Sequence, residues 1–119
     1  MGTSGRHASD GMEYMEQVSG KNDSLRQYAG RGYWNDPDML EVGNGISENE
    51  DRAHFTMWCM MASPLILGND LRSMNEATRN IILNKDMIAI DQDTLGIQGL
   101  HYCDRDALQF WFKPLAGGD

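Results

Sequence analysis

Two carboxylates, Asp36 and Asp38, stand two residues apart with Pro37 between them, inside an apolar run. Tyr33 and Trp34 come before the pair, Met39 and Leu40 after it. The proline ring fixes its own φ and pushes the preceding Asp36 toward extended backbone. In an extended chain residues i and i+2 share a face. The pattern therefore predicts that Asp36 and Asp38 project together while Asn35 and Pro37 face the other way. Carboxylates held among apolar neighbours need hydrogen-bond donors, and the hydroxyls of a polyhydroxylated ligand are such donors. The plainer reading is a surface turn carrying two solvated acids, since Asp and Pro are ordinary turn residues. Spacing alone leaves both open.

Paired acids also hydrolyse glycosidic bonds. Retaining enzymes hold the two carboxyls about 5–5.5 Å apart and inverting ones about 6.5–9.5 Å apart, gripping the scissile bond from opposite sides. Neighbours on one strand face are badly placed for that. Hydrogen bonds to sugar hydroxyls, or support from behind, suit Asp36 and Asp38 better. Other chemistries find less material. His7, His54 and His101 are scattered, with no partner at metal-ligand spacing. His54 follows Asp51 by three residues, which predicts a local contact along one helix. No nucleophile elbow is present. Gly43 and Gly45 lack the spacing and the following Lys of a phosphate loop. The nine methionines fall mostly on helical or core-like stretches, where Met fills gaps rather than lining a cofactor site. No metal and no cofactor is expected.

The elements that must carry these residues follow from the pattern. A chain of 119 residues supports one small core. Its mean hydropathy of −0.54 suits a soluble globular protein. No run reaches the ~18 apolar residues of a membrane span. A net charge of −8 argues against nucleic acid or an anionic membrane as partner. Two cysteines are too few for a disulfide framework, and Cys59 reads as a buried thiol. The N-terminus has no apolar h-region, so no signal peptide is expected.

Residues 1–11 read as irregular, and Met12, Met15 and Val18 as a weak helix ended by Gly20-Lys21-Asn22-Asp23. Residues 24–28 suggest a short turn. Residues 34–40 read as a strand. Ser47 and Glu50 form a capping box in which Glu50 reaches back to the amide of Ser47, opening a helix to about Ala62. From Phe55 onward this helix is apolar all round, hence buried on most sides. Leu65-Ile66-Leu67, bounded by Pro64 and Gly68, predicts a strand buried on both faces, as in parallel sheets. Ser73 and Glu76 suggest a second capping box, with Met74, Ala77, Ile81 and Ile82 on one stripe. A short helix is expected over residues 86–91. Leu108, Phe110 and Phe112 alternate with polar residues or Trp111, predicting a half-buried strand joined to residues 100–103 by a turn at Asp104-Arg105-Asp106. The order is β/α, β/α, then an antiparallel hairpin, which is an α/β architecture.

At longer range the residues become recognisable. Tyr28-Ala29-Gly30 and Trp34-Asn35-Asp36-Pro37-Asp38-Met39-Leu40-Glu41-Val42-Gly43-Asn44-Gly45 resemble the α-galactosidases of glycoside hydrolase family 27. The similarity continues through Ala62-Ser63-Pro64-Leu65-Ile66-Leu67-Gly68-Asn69-Asp70-Leu71-Arg72, through Asn84-Lys85-Asp86, through Ile88-Ala89-Ile90-Asp91-Gln92-Asp93, and from Trp111 to Gly118.

The resemblance implies a (β/α)8 TIM barrel with a C-terminal antiparallel β domain. This chain would hold the last two β/α units: seventh strand over 34–39, seventh helix over 47–62, eighth strand over 64–68, then the eighth helix. Residues 1–96 would be the C-terminal fragment of the catalytic barrel, and 97–119 the first hairpin of the β domain. A barrel needs ~200 or more residues to close, so the missing N-terminal barrel of the same protein is an expected partner. The implied activity is retaining hydrolysis of terminal α-linked galactose, with an α-galactoside as substrate. A fragment of an α-N-acetylgalactosaminidase, or a non-catalytic carbohydrate-binding piece, are the alternatives. Asp38 and Met39 match family positions that line the galactose pocket, and Asp36 matches one close behind it. The family's nucleophile lies upstream of anything present. At the acid/base region, Thr3-Ser4-Gly5-Arg6-His7, Arg6 stands where an Asp is expected. Asp10 is the nearest carboxylate, and the role is not carried onto it. No catalytic residue is assigned, and the fragment is expected to be inactive alone. A secreted or periplasmic location is implied for a full-length member.

Overall fold

Helix α2 (Glu48–Met60) is the element on which the other helices pack. Its start is written in its first turn. Ser47 caps it by accepting from the amide of Glu50, and Glu48, Glu50 and Asp51 lie at the positive end of the helix dipole. The reciprocal half of the capping box differs from expectation. Glu50 takes a hydrogen bond from the Ser47 hydroxyl at 2.9 Å instead of reaching the Ser47 amide. The second half of α2 is the core. Trp58 and Cys59 are fully buried and Phe55 nearly so, with Met61 and Ala62 buried just beyond the helix. Burying one such large side chain is worth about 1.5–3 kcal/mol. The computed structural model describes residues 8–118, side chains of 8–12 and 14 excepted.

Helix α1 (Ala8–Ser24) is longer than the sequence suggests, and residues 8–11 are helical rather than irregular. Gly20 does not end it. Met15, Ser19 and Asn22 are buried at i, i+4 and i+7, so packing on α2 overrides the weak propensity of one glycine. A 3-10 turn, Arg26–Tyr28, follows. Helix α3 (Glu76–Ile82) is capped by Asn75, whose side chain accepts from the Thr78 amide at 2.8 Å, and not by Ser73. The expected cap was two residues early; the phase of α3 is set by the burial of Thr78, Ile81 and Ile82. Helix α4 (Lys85–Asp91) is capped by Asn84 through the amides of Asp86 and Met87.

The two expected strands over 34–40 and 64–68 run parallel, but they meet at a single bridge, Leu40 with Leu67. The amide of Gly68 donates to the Leu40 carbonyl at 3.3 Å. Pairing stops there because Asp38 has a φ of +80°, which breaks the extended run on one side. Nor is the 65–67 run buried on both faces, since Ile66 is 73% exposed. The only multi-residue ladder among the described residues is the antiparallel pair β1 (Leu100–Arg105) and β2 (Leu108–Phe112). Its turn is Asp106-Ala107, both in the left-handed region, the conformation that matches the twist of a two-residue hairpin. That lies later than the expected turn at Asp104-Arg105-Asp106. The expected half-burial of β2 is not found on its apolar face: Leu108, Phe110 and Phe112 are exposed.

The hairpin is pinned to the helices by its two legs. Gly99 donates to the Met60 carbonyl at 2.7 Å, and a Cβ at Gly99 would stand 2.6 Å from that oxygen. Gln98, buried, donates to the Asn22 carbonyl, and the His101 amide donates to Asp23. On the other leg the buried ammonium of Lys113 donates to the carbonyls of Cys59 and Ile90. Those carbonyls lie in the last turns of α2 and α4, where a cation also offsets the dipole. Charge-assisted bonds of this kind contribute about 1.5–3 kcal/mol. Lys113→Met is accordingly expected to lower the urea midpoint by an amount worth about 2 kcal/mol, with the first change in the hairpin; an unchanged midpoint contradicts the clasp.

Candidate functional site

Asp36, Pro37, Asp38 and Met39 form a closed turn at the end of the irregular stretch leading to Leu40. The Asp38 amide donates to Asp36 Oδ1 at 2.9 Å. Asx turns form this way, and Asp tolerates the left-handed backbone that the turn imposes on Asp38. The two acids are thus brought together, but not as neighbours on one extended face. One oxygen of Asp36 is committed to the backbone of Asp38. Pro37 is buried beneath them while both acids are exposed. The Asp36–Asp38 turn borders a shallow depression of about 210 Å³ that it shares with Lys21 and Asn22 of α1.

Met39 lies on the other side. A Cβ built on Gly68 would meet the Leu40 carbonyl oxygen at 2.9 Å and Met39 Cε at 3.3 Å. Glycine at 68 therefore lets the second parallel segment approach while the Met39 thioether rests over it, 46% of that residue remaining exposed. Asn69 and Asp70 follow at the same end. Asp70 is spent on Arg72, with contacts of 3.1 and 3.2 Å and a bond from the Arg72 amide. This pairing pulls its carboxyl below the ordinary range.

Beyond Leu40 the loop is held by α2. The Glu41 amide donates to His54 Nε2 at 3.0 Å, and the Gly43 amide donates to Asp51 Oδ1 at 3.1 Å. The expected His54–Asp51 contact is replaced by two separate contacts to the loop, because both side chains point at donors with no strand partner. His54 is buried and stacks on Trp58, ring centroids 4.1 Å apart. Burial pushes its pKa down to about 4. The ring is thus neutral, with its Nε2 lone pair facing the amide. Burial raises the Asp51 pKa, the Gly43 amide works against that rise, and Glu50 and Glu48 add to it. Asn44 completes the loop, donating to Glu41 Oε2 and to the Gly68 carbonyl. No residue-type motif advertised this fork; its one sequence signal is a His and an Asp one turn apart on the helix that follows the acidic stretch.

A larger cavity, about 490 Å³, lies elsewhere, between Arg31, Trp34, Ser63 and Asp91. It contains none of Asp36, Asp38 and Met39. Burial pushes the Asp91 pKa up to about 6, with Gln92 and Lys113 pulling the other way. Cys59 is a free buried thiol pushed up to about 12. The Thr3–His7 region of the expected acid/base lies outside the described residues, as does the side chain of Asp10. No group of three or more His, Cys, Asp or Glu among the described residues is placed to hold a metal ion. No helix among them is long and apolar enough to cross a membrane. What the turn offers is an exposed carboxylate, a second carboxylate bracing it, and an adjacent thioether, which is less than a complete reaction centre.

Comparison with known proteins finds relatives over most of the chain. A family model described as alpha galactosidase A matches residues 8–93. An alpha-galactosidase A of Cellvibrio japonicus (strain Ueda107) is 57% identical over 98 residues, 82% of this chain and 24% of the relative. An alpha-galactosidase of Oryza sativa subsp. japonica is 48% identical over 103 residues, 86% of this chain and 25% of the relative. An alpha-N-acetylgalactosaminidase of Gallus gallus is 41% identical over 96 residues, 79% of this chain and 24% of the relative. The crystal structure of alpha-galactosidase I from Mortierella vinacea superposes with a TM-score of 0.83 at 38% identity, over 87% of this chain and 26% of that one. The chain spans about a quarter of the length of these relatives.

His54 gives the site a pH dependence of definite sign. Its pKa falls from 6.5 in the unfolded chain to about 4 in the folded one. Stability from the neutral ring is present above pH 6.5 and is lost as pH falls toward 4, at 1.36 kcal/mol per unit, on the order of 3 kcal/mol in all. Asp91, raised to about 6, acts in the opposite sense and gains stability over much of the same window. Urea unfolding between pH 7 and 4 is therefore expected to show a smaller acid loss in His54→Gln, which keeps an acceptor, and a larger one in Asp91→Asn. Identical pH profiles for wild type and His54→Gln would refute the neutral buried ring.

Proposed function

The chain belongs to the α-galactosidase family of glycoside hydrolases, and from that membership we propose that it supplies one wall of the galactose pocket of a retaining α-galactosidase. Asp38 hydrogen-bonds hydroxyls of the terminal α-linked galactose, Met39 packs against the sugar, and Asp36 holds the Asp38 backbone from behind. The family's nucleophile belongs to polypeptide upstream of these 119 residues, and no acid/base is assigned within them, Arg6 standing at the matching position. In the same reading, residues 34–68 hold the last two strands of a (β/α)8 barrel. Residues up to 96 belong to that catalytic unit, and 97–119 open an antiparallel β domain.

One observation carries the proposal: Asp38 and Met39 stand exposed beside the Leu40–Leu67 parallel bridge in a chain 57% identical to an alpha-galactosidase. Carboxylates gathered at strand ends are how such barrels bind their substrates. The parallel sense of the bridge, the Asx turn that exposes Asp38, and the seat of Met39 on Gly68 all support it. An α-N-acetylgalactosaminidase is the second reading, favoured by the 41% identity to the Gallus gallus enzyme. The higher identity to α-galactosidases puts galactose first.

A chimera tests this. Residues 28–118 replace the matching quarter of the Cellvibrio japonicus relative, and turnover of an aryl α-galactoside is measured. The chimera is expected to be active, and the 119-residue chain alone to show no turnover. Asp38→Ala in the chimera is expected to lower kcat/KM by about 10–100-fold, the loss of one charge-assisted hydrogen bond. Full activity after Asp38→Ala would overturn the assignment.

A further inference from the structure

We infer that His54 and Asp51 are positioning residues for Asp38 and Met39, acting as a two-pronged fork that sets the backbone on which the sugar-facing pair is mounted. The inference rests on the reading that Asp38 and Met39 face the galactose. It concerns two residues of α2 to which neither the motif nor the membership in the family assigns a role.

The two prongs stand three residues apart, one turn along the helix, on its loop-facing side. Each takes one amide of the loop, Glu41 to His54 Nε2 at 3.0 Å and Gly43 to Asp51 Oδ1 at 3.1 Å. The captured residues alternate. Val42 between them is 1% exposed and turns into the core, as does Leu40, also 1% exposed. From Leu40 to Gly43 every residue is therefore fixed, by burial or by a prong. Met39 is the first residue outside that stretch, and Asp38 is tied to Asp36 just before it. A shift at Glu41 has only Leu40 in which to dissipate before it reaches Met39. The Leu40 carbonyl between them is itself held by Gly68.

The fork is rigid. The His54 ring is 1% exposed and lies flat on Trp58, the planes inclined by 20°. An imidazole that accepts at Nε2 carries its proton on Nδ1, so one tautomer only serves. The loop cannot retreat from the prongs either. A Cβ at Gly43 would stand 2.8 Å from Thr78 Cγ2, and the φ of Gly43 is +83°. Helix α3 thus packs closely against the loop at Gly43. The amides inside α2 are taken by its own carbonyls, and His54 Nε2 accepts from a loop amide two residues from Met39.

Methionine methyl NMR on the 119-residue chain reads the coupling, with the Met39 signal assigned by Met39→Leu, alongside amide exchange at Glu41 and Gly43 and the imidazole nitrogen shifts of His54. The wild type is expected to show the neutral Nδ1–H tautomer at pH 6. His54→Phe fills the same space without an acceptor. It is expected to move the Met39 methyl and to speed exchange at Glu41 and Gly43 at least 10-fold, while the hairpin amides keep their protection. His54→Gln, with an acceptor restored, is expected to return both readouts toward wild type. An unmoved Met39 methyl in His54→Phe, a Gln variant as perturbed as the Phe variant, or the opposite tautomer would each overturn the inference. Should His54→Phe fail to fold, Asp51→Ala against Asp51→Asn, read at Gly43 and Met39, decides it in the same way. The chimera keeps the two readings apart. Full activity of the chimera after Asp38→Ala, with a Met39 methyl that still responds to His54→Phe in the 119-residue chain, sinks the pocket assignment and leaves the fork standing.

Discussion

The amides of residues 41–43 are the constraint from which the rest of the site follows. They leave a strand that pairs only at Leu40, so no ladder receives them. Buried amides without acceptors are costly, and here the acceptors are side chains of the next helix. Asp51 and His54 accept because α2 begins only a few residues later, with Ser47 fixing its first turn. The same geometry closes the loop against Thr78 and lets Asn44 reach the Gly68 carbonyl. A turn that looks isolated in the sequence is therefore tied to α2, to α3 and to the second parallel segment.

A comparable economy governs the other end of the helices. The carbonyls of Cys59 and Ile90 near the ends of α2 and α4, which also take the amides of the C-cap residues Met61 and Gln92, meet one buried ammonium, Lys113. Asp91 and Asp93 favour its charge and burial opposes it. Asp93 is itself engaged by the Ala116 and Leu95 amides. The result ties the hairpin to the ends of both helices. It also explains why Gly99 carries no side chain, since the chain passes within hydrogen-bond reach of Met60 there. The helix core and the hairpin are thus joined by polar contacts at the helix ends. The aromatic face of the hairpin, Phe110 and Phe112 among it, stays exposed.

Much of this was legible. The apolar segment from Phe55 to Ala62, bounded by a Ser47 cap and Pro64, gave α2 and the core, because burial on most sides leaves a pattern no surface helix shows. The parallel sense of the segments around Leu40 and Leu67 and the hairpin after Gly99 were also readable. Three things were not. Helix α1 runs through Gly20 because its buried stripe of Met15, Ser19 and Asn22 includes two polar residues, which a hydrophobic count misses. Asn75 displaced Ser73 as the cap because two competent residues stood two apart and tertiary packing of Thr78 chose between them. The left-handed backbone of Asp38 was hidden because Asp-Pro-Asp suits both a strand and an Asx turn. Contacts such as Glu41 to His54 or Gln98 to Asn22 depend on tertiary approach and leave no trace in spacing.

The Asx turn also bears on what chemistry the acidic pair is shaped for. Two carboxylates that share a task in hydrolysis must each reach the substrate from its own side. Asp36 has given an oxygen to the amide of Asp38, and the turn that this bond closes sends Asp38 outward. One acid has become part of the scaffold of the other. What remains is a single outward carboxylate with a defined backbone, next to a thioether seated on a glycine. That arrangement leaves one carboxylate facing outward and gives up the symmetry a catalytic pair needs. Its precision is then borrowed from elsewhere, from a buried ring that must stay neutral to accept a hydrogen bond from the loop. An imidazolium at His54 would present a donor to a donor, and the backbone beneath Met39 would lose its nearest fixed point.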